Sequence, residues 1–431
     1  MNLIPEVKKA EFLGRKIKIK PPLNFIVYGE GMGKEIIKNW IEKKKISGRG
    51  EGRRIVIKIK EGKTTSQAYH IHFSPQGDGW EIFIIGKGRL GTLYGVVTLL
   101  QIFELAQNKN GIIEAVNIWD EPGIENRGIL FDLGGQMAYT GPASWNFAKW
   151  KEAIDWMRKY KLNLLLLEIC GAADSNNYWN PYLQGPLGYP IKLEKYPHLV
   201  TKDMPILRWD RKNKRFFADK FTPPLVKRDF LQDIIDYSHK QGIKVYLFLG
   251  YYYFATIVDF YHKVFTECYS HPENIKFFNY LLKTLLTRYS GWDGITLHLP
   301  ETMMCECSQC NKYETRAQKE ARIIKRAYKI VRDELKLSID FRILDDRFRL
   351  KDLEELKKII PSDIGIDWVP QRRYKEWKEA WGNVWEYLYL TKAIFQKNFH
   401  STVKEAKEIL QKISSLGYQG AYTQGWYWDN Y

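Results

Sequence analysis

From Arg127 onward the chain repeats one pattern: eight apolar runs of strand length, with segments of helical spacing between them. The runs are RGILFDLG, LNLLLLEI, IKVYLFLG, DGITLHLPE, SIDFRILDD, DIGIDWVPQ, NVWEYLYLT and YQGAYTQGW. Helices are expected over 144–161, 225–242, 272–290, 312–336, 350–361, 374–381 and 401–416. Strand–helix alternation argues for a parallel sheet covered by helices. Eight units in about 300 residues fit a (β/α)8 TIM barrel. The rival is a doubly wound open sheet, which needs a glycine-rich nucleotide turn after an early strand. The first run is followed by DLGGQMAYTG, which lacks the G-x-G-x-x-G spacing.

At 431 residues the chain exceeds one ordinary domain. Residues 1–120 read as a small α+β domain, and 121–431 as the barrel. In the first part, RRIVIKIK, AYHIHFS and GWEIFIIGK are strand-like, while GKEIIKNWIEKKK and GRLGTLYGVVTLLQIFELAQN carry helical spacing. Pro122 and Gly123 break the pattern at the boundary. Two irregularities stand out in the barrel. The stretch 170–224, rich in Tyr, Trp, Pro, Gly and Asn and including Trp179, is very long for a connection and suits a lid or cleft wall. After the eighth strand no helix follows. Either the barrel does without one, or a partner such as a second copy of the chain (a homo-oligomer) covers that side.

Active sites in such barrels lie at the C-terminal ends of the strands. Those ends carry Asp132; Glu168; Tyr251; His298 and Glu301; Asp345 and Asp346; Asp367 and Trp368; Tyr387; and Trp426, Trp428 and Asp429. Carboxylates with interleaved aromatic rings are what glycoside hydrolysis requires. One carboxylic acid protonates the leaving oxygen. A second carboxylate activates water, attacks the sugar, or supports a substrate group that attacks instead. The Asp pair before RFRLKDL reads equally well as a helix cap. Glu301, after an apolar strand and beside a proline, is the leading acid; His298, Asp346 and Asp367 are further catalytic candidates. The fifteen Trp and 27 Tyr exceed what a core needs and suit a ring-binding cleft, although plain packing also uses them.

The arrangement resembles the family 20 glycoside hydrolases, the β-hexosaminidases, and their clan relatives, over most of the chain. GRLGTLYGVVTLLQIFEL is similar to the helix that closes their non-catalytic α+β domain, through Tyr94, Gly95, Val96, Thr98, Leu99 and Gln101. ENRGILFDLG is similar to their first barrel strand, and the resemblance makes Arg127 a ligand of sugar hydroxyls, with Asp132 five residues on. WMRKYKLNLLLLEI is similar to their first barrel helix and second strand. The family carries an Asp-Glu pair after strand four, in which the Glu is the acid and the Asp orients the substrate's acetamido nucleophile. Glu301 matches the acid, but Pro300 stands at the Asp position. The Tyr-x-Asp near strand seven is incomplete, with Tyr387 and Tyr389 but no following Asp. Trp428 and Asp429, or Trp426, echo the Trp-x-Glu of strand eight. The resemblance implies an exo-type glycosidase with a carbohydrate substrate. Substrate-binding candidates are Arg127, Asp132, Glu168, Trp179, Tyr251, Trp368, Tyr387, Trp426, Trp428 and Asp429. Two alternatives follow from Pro300: a two-carboxylate enzyme like the family 67 α-glucuronidases, or a barrel that binds sugar without cleaving it.

CECSQC places Cys305, Cys307 and Cys310 within reach of one tetrahedral zinc, with the fourth ligand to come from Cys170, Cys268, His271 or His298. Three thiolates without an open water position make a poor hydrolytic centre. Any zinc is therefore expected to brace the loop after strand four, and reduced thiols are the alternative. No cofactor is expected for catalysis. The net charge of +17 is spread through mixed Lys/Glu helices without an RNA-binding signature, so neither nucleic acid nor membrane is an expected partner. No signal peptide opens the chain, no stretch approaches the ~20 apolar residues of a membrane helix, and the clustered cysteines do not suit a disulfide framework. A cytoplasmic protein is the expectation.

Overall fold

A computed structural model describes residues 3, 5–19, 23–45, 53–107, 110–133, 142–169, 189–200, 204–210, 212–250, 268, 270–299, 307–344, 348–367, 373–388 and 399–424. The chain divides into two units, Met1–Glu125 with Trp156–Lys161, and Asn126–Asp155 with Leu162–Tyr431.

Six strands build one sheet in the first unit: β1 (Lys9–Lys18), β2 (Leu23–Tyr28), β3 (Arg53–Thr64), β4 (Tyr69–Gln76), β5 (Gly79–Gly88) and β6 (Ile112–Asp120), in the order β1-β6-β4-β5-β3-β2. Alternation along β4 buries Tyr69, Ile71 and Phe73, and along β5 it buries Ile82 and Ile84. Helix Arg89–Gln107 packs on the sheet and buries Leu93, Val96, Leu99 and Phe103. Gly95 permits the close approach, since a Cβ there would stand 2.6 Å from Ile84 Cγ2. This helix corrects one sequence expectation. Its 19 residues and mean hydropathy of 1.2 are enough, by length and composition, to cross a membrane. Its apolar surface is instead mostly buried within the unit. The sequence reading found β3, β4 and β5 but not β1, β2 or β6. β1 is an edge strand whose residues are largely exposed, so it carries little apolar signal; β2, the other edge strand, is short and mostly part-buried.

In the second unit, eight parallel strands close into a barrel: β7 (Asn126–Asp132), β8 (Leu164–Glu168), β11 (Lys244–Gly250), β12 (Gly294–His298), β13 (Asp340–Leu344), β14 (Gly365–Asp367), β15 (Val384–Leu388) and β16 (Gly420–Gln424). β16 pairs with β7, Gly420 facing Asn126, and completes the circle. Helices Phe147–Lys159, Pro272–Arg288, Leu350–Ile359, Tyr374–Trp381 and Phe399–Ser415 follow the expected spans to within a few residues, whereas the expected 225–242 is split into Pro224–Lys227 and Leu231–Lys240, and the expected 312–336 is Arg316–Lys329 followed by a π-helical turn, Ile330–Glu334. The long stretch before β11 holds regular structure among its described residues. It holds an antiparallel hairpin, β9 (Met204–Asp210) and β10 (Arg215–Phe221), turned by Asp210, whose carboxylate accepts from the backbone of Lys212 and Asn213.

Alternate residues of each barrel strand face the axis. Leu130, Leu164, Leu166, Tyr246, Phe248, Leu344, Trp385, Tyr387 and Tyr422 form one buried cluster there. Gly294 lies opposite Tyr246 in register, and a Cβ on it would come within 2.2 Å of the Tyr246 ring. Gly294→Ala is therefore expected to cost about 1–3 kcal/mol through overpacking, read as a lower urea midpoint with an unchanged m-value.

On the outer side of the barrel, His239 Nε2 lies 2.8 Å from Asp293 Oδ2, which also accepts from the Val245 backbone at 2.8 Å. The hydrogen bond to Asp293 raises the His239 pKa above its ordinary 6.5, against partial burial. A group whose pKa rises on folding stabilises the protein when protonated. The contribution is complete below about pH 6.5 and fades as pH rises through the folded value. Wild type should therefore exceed His239→Gln in melting temperature at pH 5.5–6 (roughly, below the unfolded value), with the gap narrowing in alkaline buffer. A gap that widens with pH would contradict this assignment.

Candidate active site at the barrel rim

Asp132, Glu168, His298 and Asp367 each end their strand, and all four are buried. Period two places Asp132 on the face of Leu130, and Glu168 on the face of Leu164 and Leu166, so both carboxylates point towards the barrel axis. They are register partners on adjacent strands. Strands lie about 4.8 Å apart, so the two carboxylates share one wall. His298 continues the circle on β12, its ring 5.4 Å from that of Phe248. Backbone pairing runs one residue past these ends and fixes the rim: Leu133 donates to Glu168, Ile169 to Phe248 and Leu299 to Leu344, at 2.8–3.0 Å.

Asp367 is placed differently. It is fully buried, and Arg342 Nε donates to its Oδ1 at 2.5 Å. Thr296 and Tyr422 hydroxyls donate to its Oδ2 at 3.1 and 2.9 Å. The Arg342 guanidinium also donates to Asn383 Oδ1 and the Ile366 carbonyl, and lies 3.7 Å from the ring centroid of Trp385. Burial pushes the Asp367 carboxyl up, and Arg342 and the two hydroxyls pull against it. The sequence reading took Asp367 as a catalytic candidate; its hydrogen bonds join it to the barrel interior. Arg342 was missed altogether. Its signal was a lone charge between apolar residues in an otherwise buried strand, which requires a buried partner.

Arg127 is also displaced from expectation. It is the second residue of β7, on the face opposite to Leu130 and Asp132, and its backbone pairs with Asn163 at the start of β8. Five residues of strand, about 16 Å at 3.3 Å each, separate its backbone from Asp132 at the rim. Tyr387 faces the axis, 5.2 Å from the Tyr422 ring, while Glu386 has the opposite parity. Glu301, Asp345, Asp346, Trp179, Tyr251, Trp368, Tyr389, Trp426, Trp428, Asp429, Cys170 and Cys305 lie outside the described residues.

The rim thus gathers two inward carboxylates and an imidazole in a largely buried wall. Such groups accept hydrogen bonds from, and donate them to, a polyhydroxylated ligand. In the connections that follow β11 and β12, Cys268, Cys307 and Cys310 bring their sulfurs within 4.8 Å of one another, a donor set able to bind a metal.

No family model matches the chain, and no curated protein matches it in sequence. Solved structures do match in fold. An exo-β-N-acetylglucosaminidase of glycoside hydrolase family 20 from Vibrio harveyi, solved with N-acetylglucosamine, superposes with a TM-score of 0.63 at 13% identity over 90% of this chain. The match spans 61% of that enzyme's length. A β-N-acetylhexosaminidase from Bacteroides fragilis gives 0.57 at 16% identity, covering 90% of this chain and 74% of its own. The protein named CpGH84B gives 0.54 at 12%, covering 98% and 67%. The chain therefore has a glycoside hydrolase-like fold, a closed parallel barrel with a small sheet domain before it.

Proposed function

We propose that this chain is an exo-acting glycoside hydrolase that removes a terminal sugar by general-acid cleavage, with Glu301 as the acid. The observation that carries this reading is the inward trio Asp132, Glu168 and His298 on β7, β8 and β12, with Glu301 following three residues after His298 in the sequence. In barrels of this kind the C-terminal rim is where substrate meets chemistry. Asp132, Glu168 and His298 bind hydroxyls of the departing sugar, and Tyr387 contributes an aromatic wall. Glu301 donates its proton to the glycosidic oxygen, the C–O bond breaks as positive charge develops on the ring, and water then bonds to the anomeric carbon as its proton passes to a carboxylate of the site. Asp367 and Arg127 are left out of this chemistry, because the first is occupied by Arg342 and the second lies at the far end of its strand. No cofactor enters the reaction.

A second reading is favoured by one residue. Pro300 has neither charge nor N–H with which to hold an acetamido group, and it occupies the place of the Asp in the resembled family. A two-carboxylate mechanism, α-glucuronidase-like, supplies its own nucleophile or base, with Asp346 as its candidate. A panel of aryl β-N-acetylhexosaminides, plain β-hexosides and 4-O-methyl-glucuronides separates the readings. Cleavage confined to N-acetyl sugars supports the hexosaminidase-like reading, and cleavage of glucuronides supports the second. Sugar binding without turnover of any of them would overturn both and leave a carbohydrate-binding barrel.

A further inference from the structure

We infer that Cys268, Cys307 and Cys310 form a structural zinc site that staples the connection after β11 to the connection after β12. Cys268 lies four residues before helix Pro272–Arg288, while Cys307 and Cys310 lie beyond β12. Cys268 Sγ stands 3.6 Å from Cys307 Sγ and 3.8 Å from Cys310 Sγ. These distances are far beyond a disulfide bond of about 2.05 Å. They match the edge of a tetrahedron with metal–sulfur bonds of about 2.3 Å, which is about 3.8 Å. All three sulfurs lie within 4.8 Å of one another, so a single ion can reach them together.

Each of the three sulfurs receives one donor. The Ser270 backbone N–H points at Cys268 Sγ, and the Cys310 N–H at Cys307 Sγ, both at 3.4 Å. Arg322 Nη1 donates to Ser270 Oγ at 2.7 Å, which leaves the Ser270 hydroxyl proton to point at Cys310 Sγ, 3.3 Å away. On a bound ion these donors would orient the ligating sulfurs from outside. Three sulfurs converging from two connections, two of the residues buried, make a donor set of the kind that holds a soft divalent cation. Zinc suits an all-sulfur donor set and brings no redox chemistry. On binding, the thiols release their protons to solvent and the ion takes their place.

The site differs from the one the sequence motif suggests, because Cys268, 39 residues before Cys307, is a principal ligand rather than an optional fourth. Cys307 follows Glu301 by six residues in the same connection. The metal inference stands whether or not the barrel is a hydrolase, and its test reads metal and stability rather than turnover.

The full chain, purified without chelator, should contain about one zinc per chain by elemental analysis. Exchange with cobalt(II) should give the intense visible bands and sulfur-to-cobalt charge transfer of tetrahedral thiolate ligation. A strong chelator should lower the melting temperature and expose Cys268, Cys307 and Cys310 to alkylation, mapped by mass spectrometry. Cys268→Ser should lose the charge-transfer band and the chelator sensitivity. The alkylation arm uses wild type alone and so remains decisive where the variant fails to fold. Absence of zinc together with no cobalt spectrum, alkylation of the three thiols indifferent to chelator, or a disulfide between any two of them, would overturn the site.

Discussion

Replacing Glu301 by glutamine is expected to lower kcat/KM about 10²–10⁴-fold on a glycoside with a poor leaving group, the usual worth of a positioned proton donor. Glutamine keeps the size and most of the hydrogen bonding of the side chain but has no proton to give. The loss should depend on the leaving group. A simple phenol or sugar needs protonation as the bond breaks, whereas a dinitrophenolate leaves unaided. The variant should therefore retain far more activity on a dinitrophenyl glycoside than on a phenyl one. An unchanged melting curve would show that the fold is intact. Equal loss on both substrates would mean that Glu301 binds sugar rather than donating a proton, and no loss on either would remove it from the reaction.

The second large effect concerns stability. Arg342→Met should cost about 3–5 kcal/mol, because it leaves Asp367 buried without its cation. That is a large share of the 5–15 kcal/mol or so that holds a typical domain together. The Thr296 and Tyr422 hydroxyls remain on Asp367 but carry no charge to balance it. Combining Arg342→Met with Asp367→Leu removes both charges, so the double variant should recover much of the loss. Urea denaturation of the single and double variants measures this directly. A single variant within about 0.5 kcal/mol of wild type, the range of an ordinary surface substitution, would contradict the placement of the pair in the barrel interior.

The barrel was legible because its information is local. Each strand is an apolar run such as LLLL or GITLH, each helix has its own stripe, and eight repeats of one unit admit few architectures. The hairpin Met204–Phe221 was hidden because it sits in a stretch whose Pro, Gly and aromatic content reads as loop. Partnerships were the harder part. Nothing near Asp367 in the sequence names Arg342, 25 residues earlier, as its partner. Only the register of β13 on β14, Leu344 beside Asp367, brings them together. The same holds for the thiols. CECSQC announces a cluster, but Cys268 joins it through the adjacency of β11 and β12, which motif spacing cannot express. Arg127 shows the reverse order of inference. A resemblance in strand one supplied a role, while strand position puts that residue about 16 Å from the rim.

The most direct test of the account is to follow an oligosaccharide with wild-type protein by proton NMR, watching anomeric signals from the first minutes of reaction. Exo-acting hydrolysis at the rim predicts that one monosaccharide appears from the start, with the remaining chain one unit shorter, and that Glu301→Gln abolishes the release. Retained binding of the oligosaccharide with no new anomeric signal, or release of mixed internal fragments from the outset, would contradict it.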